Sequence, residues 1–273
     1  MCRIAFVGDV MLGRLVSREL QRHTPEYFWS DVGPLLRSCD AVVANLECAI
    51  THHARQWAKT YKTFHFRAEP TAIDVLKAGN IRAVSLANNH VLDFEVEGLV
   101  ETIRLLESAG IAHAGAGADK AAARRPAFFQ AGPLKLALFA CVDHEEPFAA
   151  GPAHPGTAYV DPGASRPAPF PGADAIAQIK SQGADLVLLS THFGPNMVLH
   201  PSQAIRDFRH MAVEAGIDIV HGHSAHVFQG VELRNRSLIL HDTGDILDDY
   251  LIDPRLHNDW SFVFIVEAGA KGI

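Results

Sequence analysis

The side chains with chemistry to offer fall in five short groups. Gly8-Asp9 leads into Val10-Met11-Leu12-Gly13-Arg14, and Asn45-Leu46-Glu47 and Asn88-Asn89-His90-Val91-Leu92-Asp93 follow. Thr191-His192-Phe193-Gly194 and His221-Gly222-His223-Ser224-Ala225-His226 complete the set. Carboxylate oxygens, an amide oxygen and neutral imidazoles are donors suited to Zn, Mn or Fe, and two such ions side by side can clamp an attacking water and a leaving oxygen. In that chemistry Asp9 and His226 sit on one ion, Asn89, His192 and His223 on the other, and Glu47 bridges them. A metal-bound water is the nucleophile, His90 gives a proton to the leaving group, and Asp93 orients the His90 ring. Arg14, Lys62 and Arg67 are candidates for holding an anionic substrate, with His241 as a further substrate contact. His221 reads equally as a buried structural ring or as a partner that orients a ligand.

The elements that must position these groups are legible from periodicity. Apolar or β-rich runs at 4–8, 41–46, 83–87, 136–142, 186–190 and 217–220 end in polar or Gly residues, as strands buried on both faces do. Val96, Leu99, Ile103 and Leu106 recur at helical spacing before Gly110, and 173–182 and 202–215 read as two further helices. Near the C-terminus, runs at 227–233, 237–241 and 262–266 follow one another with no helix between, which predicts an antiparallel portion. The class is therefore α/β with α+β character near the C-terminus, in one domain over 1–273. The five polar groups lie where strands end, the edge at which open α/β sheets bind ligands. Residues 145–171 carry seven prolines and are expected to form a long loop crossing the mouth of that site.

Composition narrows the function. The 273 residues include 16 histidines, and 24 Lys and Arg against 31 Asp and Glu leave a formal charge of −7. That balance argues against a phosphate-tracking nucleic-acid surface. Cys2, Cys39, Cys48 and Cys141 have no C-x-x-C spacing and read as reduced thiols. The first residues lack a secretory pattern and no apolar run approaches membrane-spanning length, so the expectation is a cytoplasmic protein without a membrane anchor. Gly115-Ala116-Gly117 lacks the third glycine of a dinucleotide fingerprint and reads as a turn. Asp245, Asp248 and Asp249 with Tyr250 read as an acidic, solvated turn.

Taken in order, Gly8-Asp9, Asn45-Leu46-Glu47, Asn88-Asn89-His90-x-x-Asp93, Thr191-His192-Phe193-Gly194 and Gly222-His223-x-x-His226 resemble the CapA family of poly-γ-glutamate capsule synthesis proteins. Lys62-Thr63-Phe64-His65-Phe66-Arg67-Ala68 and Thr243-Gly244-Asp245 match that family's style, and the resemblance runs from about residue 3 to 267. It implies a metallophosphatase-like four-layer αββα sandwich and a hydrolase of phosphoester or amide bonds in capsule-type biosynthesis. The chain departs from the metallophosphoesterase pattern at Met11, which stands where Asp-x-His has its histidine. Asn45-Leu46-Glu47 replaces the bridging aspartate motif, His223-Ser224-Ala225-His226 replaces His-His-Pro-His, and Asp242-Thr243-Gly244-Asp245 replaces Ser-Leu-Gly-Asn. The divalent metal load is accordingly left open at two ions, one or none. Some relatives look like metal-independent epimerases of lasso peptides, in which Asp9 would pair with His90, His226 or His241. A third reading is a non-catalytic module that binds γ-linked glutamate chains through Arg14, Lys62 and Arg67. The substrate is a small molecule, a peptide or a polyglutamate, and the oligomeric state is unspecified.

Overall fold

A computed structural model describes residues 1–165, 170–269 and 273. The first half of the chain forms β1 (Cys2–Val10), α1 (Arg14–Glu19), α2 (Gly33–Arg37), β2 (Ala41–Leu46), β3 (Ala49–Ile50), β4 (Arg67–Ala68), α3 (Ala72–Ala78), β5 (Ile81–Ser85), α4 (Glu95–Ser108), β6 (Ala112–Ala114), β7 (Ala116–Gly117), α5 (Lys120–Ala123) and β8 (Ala127–Ala131). The second half forms β9 (Leu134–Val142), β10 (Gly156–Thr157), α6 (Ala173–Ser181), β11 (Leu186–His192), α7 (Gln203–Glu214), β12 (Ile219–His223), β13 (Val231–Arg234), β14 (Ser237–Leu240), β15 (Asp245–Leu247) and β16 (Phe264–Ala268).

Among the described residues two six-stranded sheets dominate. One runs β15-β1-β2-β5-β6 with β16 also on β1, the other β13-β14-β12-β11-β9-β8. The central pairs are parallel, and β8, β13 and β16 pair antiparallel with their neighbours. The strands are buried on both faces, yet alternation still sorts their side chains into layers. Ile4, Phe6, Ala41 and Val43 meet Leu136, Leu138, Leu188 and Ile219 in a core between the sheets. Ala5, Val7, Val42 and Ala44 turn outward to Leu36, Val75, Leu76 and Leu99 of the helices on one side. Ala137, Phe139, Val187 and Leu189 turn to Ile176, Ile179, Phe208 and Ala212 on the other. The result is the four-layer αββα sandwich.

The strand ends differ from the periodic reading where pairing outlasts the apolar run. β11 continues through Thr191 and His192 because both stay in register with Cys141 and Val142 of β9. β12 likewise starts at Ile219 and continues to His223, opposite His192. The third predicted strand ends at Ser85 rather than at 87, because Ser85 is the last residue in register with both β2 and β6. Helix α7 begins where expected because the Ser202 side chain accepts a hydrogen bond from the Ile205 N–H.

Two corrections concern loops. The stretch from 145 is not a continuous loop over the site: Glu146–Phe148 forms a short 3-10 turn, and Gly156–Thr157 pairs with Ala116–Gly117. That pairing also makes Ala116–Gly117 a strand and not a free turn. The predicted loop's residues 166–169 lie outside the described residues. No helix among the described residues is long and apolar enough to cross a membrane, and the four cysteines are free and buried.

At one end of the sandwich the chain crosses between sheets. β14 belongs to one sheet and β15 to the other, so His241–Gly244 must span the gap. The Gly244 carbonyl accepts the Asp9 N–H at 2.9 Å, and the Thr243 N–H donates to the Gly222 carbonyl at 3.0 Å. This close approach requires glycine on both sides: a Cβ on Gly8 would lie 1.8 Å from the Gly244 oxygen, and one on Gly222 2.0 Å from the His241 oxygen.

Candidate active site

The crossing segment brings one edge of both sheets together, and there the inter-sheet core turns polar. Asp9 ends β1, Asn45 and Glu47 lie at the end of β2, His192 ends β11 and His223 ends β12, all buried. The Asp9 Oδ1 accepts from the Asn45 amide at 2.8 Å and lies 3.3 Å from the His223 Nδ1. Its Oδ2 lies 3.6 Å from the His226 Nδ1. Asn45 is held in turn by Asn88, whose amide donates to the Asn45 Oδ1 at 3.0 Å and to the Leu46 carbonyl at 2.8 Å. His192 sits between Asn45, 3.4 Å away, and the Glu47 Oε1, 3.8 Å away.

The grouping of ligand-type atoms differs from the expected two sets. His223 faces Asp9 and His192 faces Glu47, whereas sequence order had joined both to Asn89. Asp245 joins the cluster: it is 5% exposed, and its Oδ1 lies 2.9 Å from the His226 Nδ1. That corrects the solvated-turn reading of this residue. Its carboxylate is placed by the parallel register Asp9 to Asp245, a contact no local pattern announces. Tyr250, also read as part of a solvated turn, donates its hydroxyl to the Glu47 Oε2 at 3.1 Å. The Thr243 Oγ1 and Val7 carbonyl lie 3.2 and 3.0 Å from the His221 Nε2, so His221 ties β12 to both β1 and the crossing segment.

His90 lies across a cleft of about 580 Å³ that is also lined by Asn89, His226 and Tyr250. Its Nδ1 is 2.6 Å from the Asp93 Oδ2, and the Phe66 N–H fixes that same oxygen at 2.7 Å. Lys62 reaches Asp93 at 3.4 Å and Glu145 at 3.5 Å. Arg14 also lines the cleft and pairs with Asp249 at 3.4 Å. Two candidates for substrate contact face elsewhere. Arg67 pairs with Glu69 at 3.0 Å and donates to the His52 carbonyl, and His241 lies between Arg209 and Glu232, at 3.3 and 3.2 Å. The Arg209–His241 contact joins segments 32 positions apart and leaves no mark in the sequence, whereas Glu69 stands only two residues from Arg67.

Burial sets the protonation of the cluster. For Asp9, burial opposes ionisation, but the hydrogen bond and charge of His223, with His192 and His226 behind, hold the carboxyl well below its usual range. Glu47 is pushed well above it by burial and then by the Asp9 charge. Burial pushes Asp245 up to about 7 against the pull of His226. For His226, burial is outweighed by Asp245, Glu47 and Asp9, which raise it well above the imidazole range. A proton on Glu47 thus removes one of the three crowded negative charges, and a proton on His226 offsets another. Asp93 is likewise pushed up to about 7 by burial, while burial and then Lys62 hold His90 well below its ordinary value.

One oxygen or nitrogen each from Asp9, Glu47, His226 and Asp245 lies within 4.8 Å of the others. Among the described residues, the buried Asp9 Oδ2, Glu47 Oε1 and Asp245 Oδ2 have no hydrogen-bond partner, nor have the Asn89 Oδ1 and His223 Nε2. Such orphaned atoms cost several kcal/mol unless something satisfies them. Three carboxylates and an imidazole form a donor set that fits a divalent cation.

The profile of a family described as bacterial capsule synthesis protein PGA_cap matches residues 3–250. A probable polyglutamine synthesis accessory protein of Mycobacterium tuberculosis is 35% identical over 216 residues, 77% of this chain and 56% of that one. The PGA biosynthesis protein CapA of Bacillus subtilis is 27% identical over 247 residues, 90% of this chain and 63% of that one. The chain therefore spans 56 to 63% of the length of these curated relatives. A solved putative 5′-nucleotidase of Staphylococcus aureus superposes with a TM-score of 0.52 at 14% identity, covering 90% of this chain and 49% of that one, a likeness of fold.

Proposed function

The chain belongs to the bacterial capsule synthesis protein family, and from that premise we propose that it hydrolyses a phosphoester or amide bond with a divalent cation, in capsule or poly-γ-glutamate-type biosynthesis. The observation that carries this reading is the cluster of one ligand atom each from Asp9, Glu47, His226 and Asp245, in which each buried carboxylate also keeps an oxygen without a hydrogen-bond partner. These four residues would hold the cation, with His192, His223 and Asn89 as the nearby further donors. When bound, a divalent cation polarises a phosphoryl or carbonyl oxygen and lowers the pKa of a water. Zn, Mn and Fe all suit the donors.

The chain's own groups do the rest. Asp9 is held ionised and oriented by Asn45 and His223. Asp93 occupies the His90 Nδ1, leaving Nε2 as the nitrogen available to the cleft. The Nε2–H can be delivered to a leaving group, with neutral imidazole left behind, only while the Asp93 carboxyl holds a proton of its own to pass to Nδ1. That proton is lost as pH rises through about 7, so hydrolysis of a poor leaving group is expected to fall above that pH. A substrate with a good leaving group should keep its rate, and identical profiles for both would remove His90 from the acid role.

The cation itself is tested by elemental analysis of protein purified without chelator. Bound Zn, Mn or Fe, lost with EDTA together with hydrolysis and restored on addition, is the expected result. Absence of all three, with hydrolysis indifferent to chelator and added metal, would refute the proposal. Uptake should also release protons, because Glu47 and His226 hold them in the cation-free site. Calorimetry in two buffers of different ionisation enthalpy measures that release. Tyr250→Phe should weaken uptake by about 10-fold, since it removes the donor that orients Glu47.

A second reading is favoured by one arrangement. His90 and His226 both line the cleft, each beside its own carboxylate, as a two-base epimerase requires. Met11 is fully buried and its sulfur accepts the Gly13 N–H, so it presents no ligand to the cluster. Deuterium uptake at one α-carbon of a peptide, unaffected by chelator, would select this reading over hydrolysis.

A further inference from the structure

The cleft has a wall that the carboxylate cluster does not require. Phe64 stacks toward Phe66 with ring centroids 6.3 Å apart, and Phe66 stacks on His90 at 4.0 Å. Phe66 also lies 5.6 Å from Tyr250, whose ring meets His226 edge-on at 5.0 Å. Ring-to-ring contacts therefore link the rim to both cleft histidines, with Phe66 2% exposed beneath and Phe64 as the ring left open. The outer end is open to solvent, with Phe64 56% and Tyr61 92% exposed.

The cations beside this wall are already committed. Lys62 donates to the Asn89 carbonyl at 2.6 Å and lies within 3.5 Å of both Asp93 and Glu145. Arg14 pairs with Asp249 at 3.4 Å and rests over the Phe64 and Phe66 rings at 5.9 and 5.8 Å. An anionic chain laid here would compete with Glu145 and Asp249 for its counter-charges. A flat, neutral group would displace only water from the rings.

Resting on the hydrolase reading, we propose that the substrate carries its phosphoryl or acyl group on a flat, uncharged aromatic body. That body lies on the exposed Phe64 ring, which Phe66 backs from below, while the group to be cleaved reaches the Asp9–Asp245 cluster. The chemistry of recognition is stacking rather than charge, which sets this substrate apart from a polyanion.

The test is binding of inert ligands to the whole protein, measured by calorimetry with and without saturating Mn²⁺. Phenylphosphonate and methylphosphonate share a head and differ only in the ring. Phenylphosphonate is expected to bind about tenfold more tightly, the worth of one stacked ring. Phe64→Leu, which keeps an apolar side chain but loses the ring, should remove most of that difference and leave methylphosphonate unchanged. Equal affinities, no binding of either ligand, an unaltered preference in Phe64→Leu, or tighter binding of a γ-linked glutamate trimer would each overturn the proposal. Mn²⁺ uptake is read in the same titrations. A ring preference without Mn²⁺ uptake would sink the cation reading and keep this one, and uptake without a ring preference would do the reverse.

Discussion

Glu47→Gln is expected to make the cation-free protein more heat-stable while lowering its affinity for divalent cation by about 100-fold or more, beyond what loss of an orienting neighbour costs. The two effects share one cause. Burial and the Asp9 charge raise the Glu47 carboxyl well above its unfolded value, so the folded state keeps a proton that the unfolded chain has released. Stability from this group is therefore lost as pH rises from the unfolded pKa through the folded one. Glutamine has the shape of the protonated acid and no such loss. The variant's gain in melting temperature should be absent near pH 4, about where glutamate titrates in unfolded chains, and should grow toward neutrality. A cation reverses the preference, because only the carboxylate binds it well. Melting curves across pH with metal titrations on the same samples measure both effects. A lower melting temperature at neutral pH, or wild-type cation affinity, would contradict the assignment.

Gly8→Ala is the second large effect. The added methyl would meet the Gly244 oxygen, the Gly244 carbonyl carbon and the Thr243 oxygen at 1.8 to 2.8 Å, all backbone atoms that no rotamer change can move. Overpacking of this kind costs about 1–3 kcal/mol, and backbone opposition places this case at about 3 kcal/mol. The damage extends to the site, because the same approach sets the register of Asp9 against Asp245. Denaturant midpoints should fall and cation uptake should be lost together. Gly230→Ala is the control, since a Cβ there meets nothing within 4 Å, and it should change stability by less than about 0.5 kcal/mol. If Gly8→Ala behaves like Gly230→Ala, the tight crossing is not what holds the two carboxylates together.

These two residues show what a sequence exposes and what it hides. Gly8-Asp9 and Asn45-Leu46-Glu47 stood out because an apolar strand ends abruptly in polar residues, a local signal. The α/β class followed from the same apolar runs, and the four-layer sandwich from the resemblance to the CapA family. An acidic stretch with glycine has the pattern of a solvated surface turn, and only pairing with β1 buries Asp245. Tyr250 carried no signal, since its partner Glu47 lies 203 positions away. Arg67 and His241 failed in the opposite sense: their residue types suited a substrate, but Glu69, Arg209 and Glu232 hold them away from the cluster. Spacing reports which element a residue occupies. It does not report which distant side chain has already claimed it.

The crossing of His241–Gly244 between the sheets also fixes an order of assembly. The outer edge of β1 is completed only by β15 and β16, so Asp9 waits for Asp245 and Ile4 for Val266. Contacts that distant in sequence close slowly, because a long loop must be ordered before they reward it. In a chain growing from its N-terminus, β1 therefore stands as an open edge, with its hydrogen-bonding groups exposed, until Asp245–Leu247 and Phe264–Ala268 have emerged. A nascent chain stopped near residue 240 should aggregate or recruit a chaperone, where one extended past β16 should not.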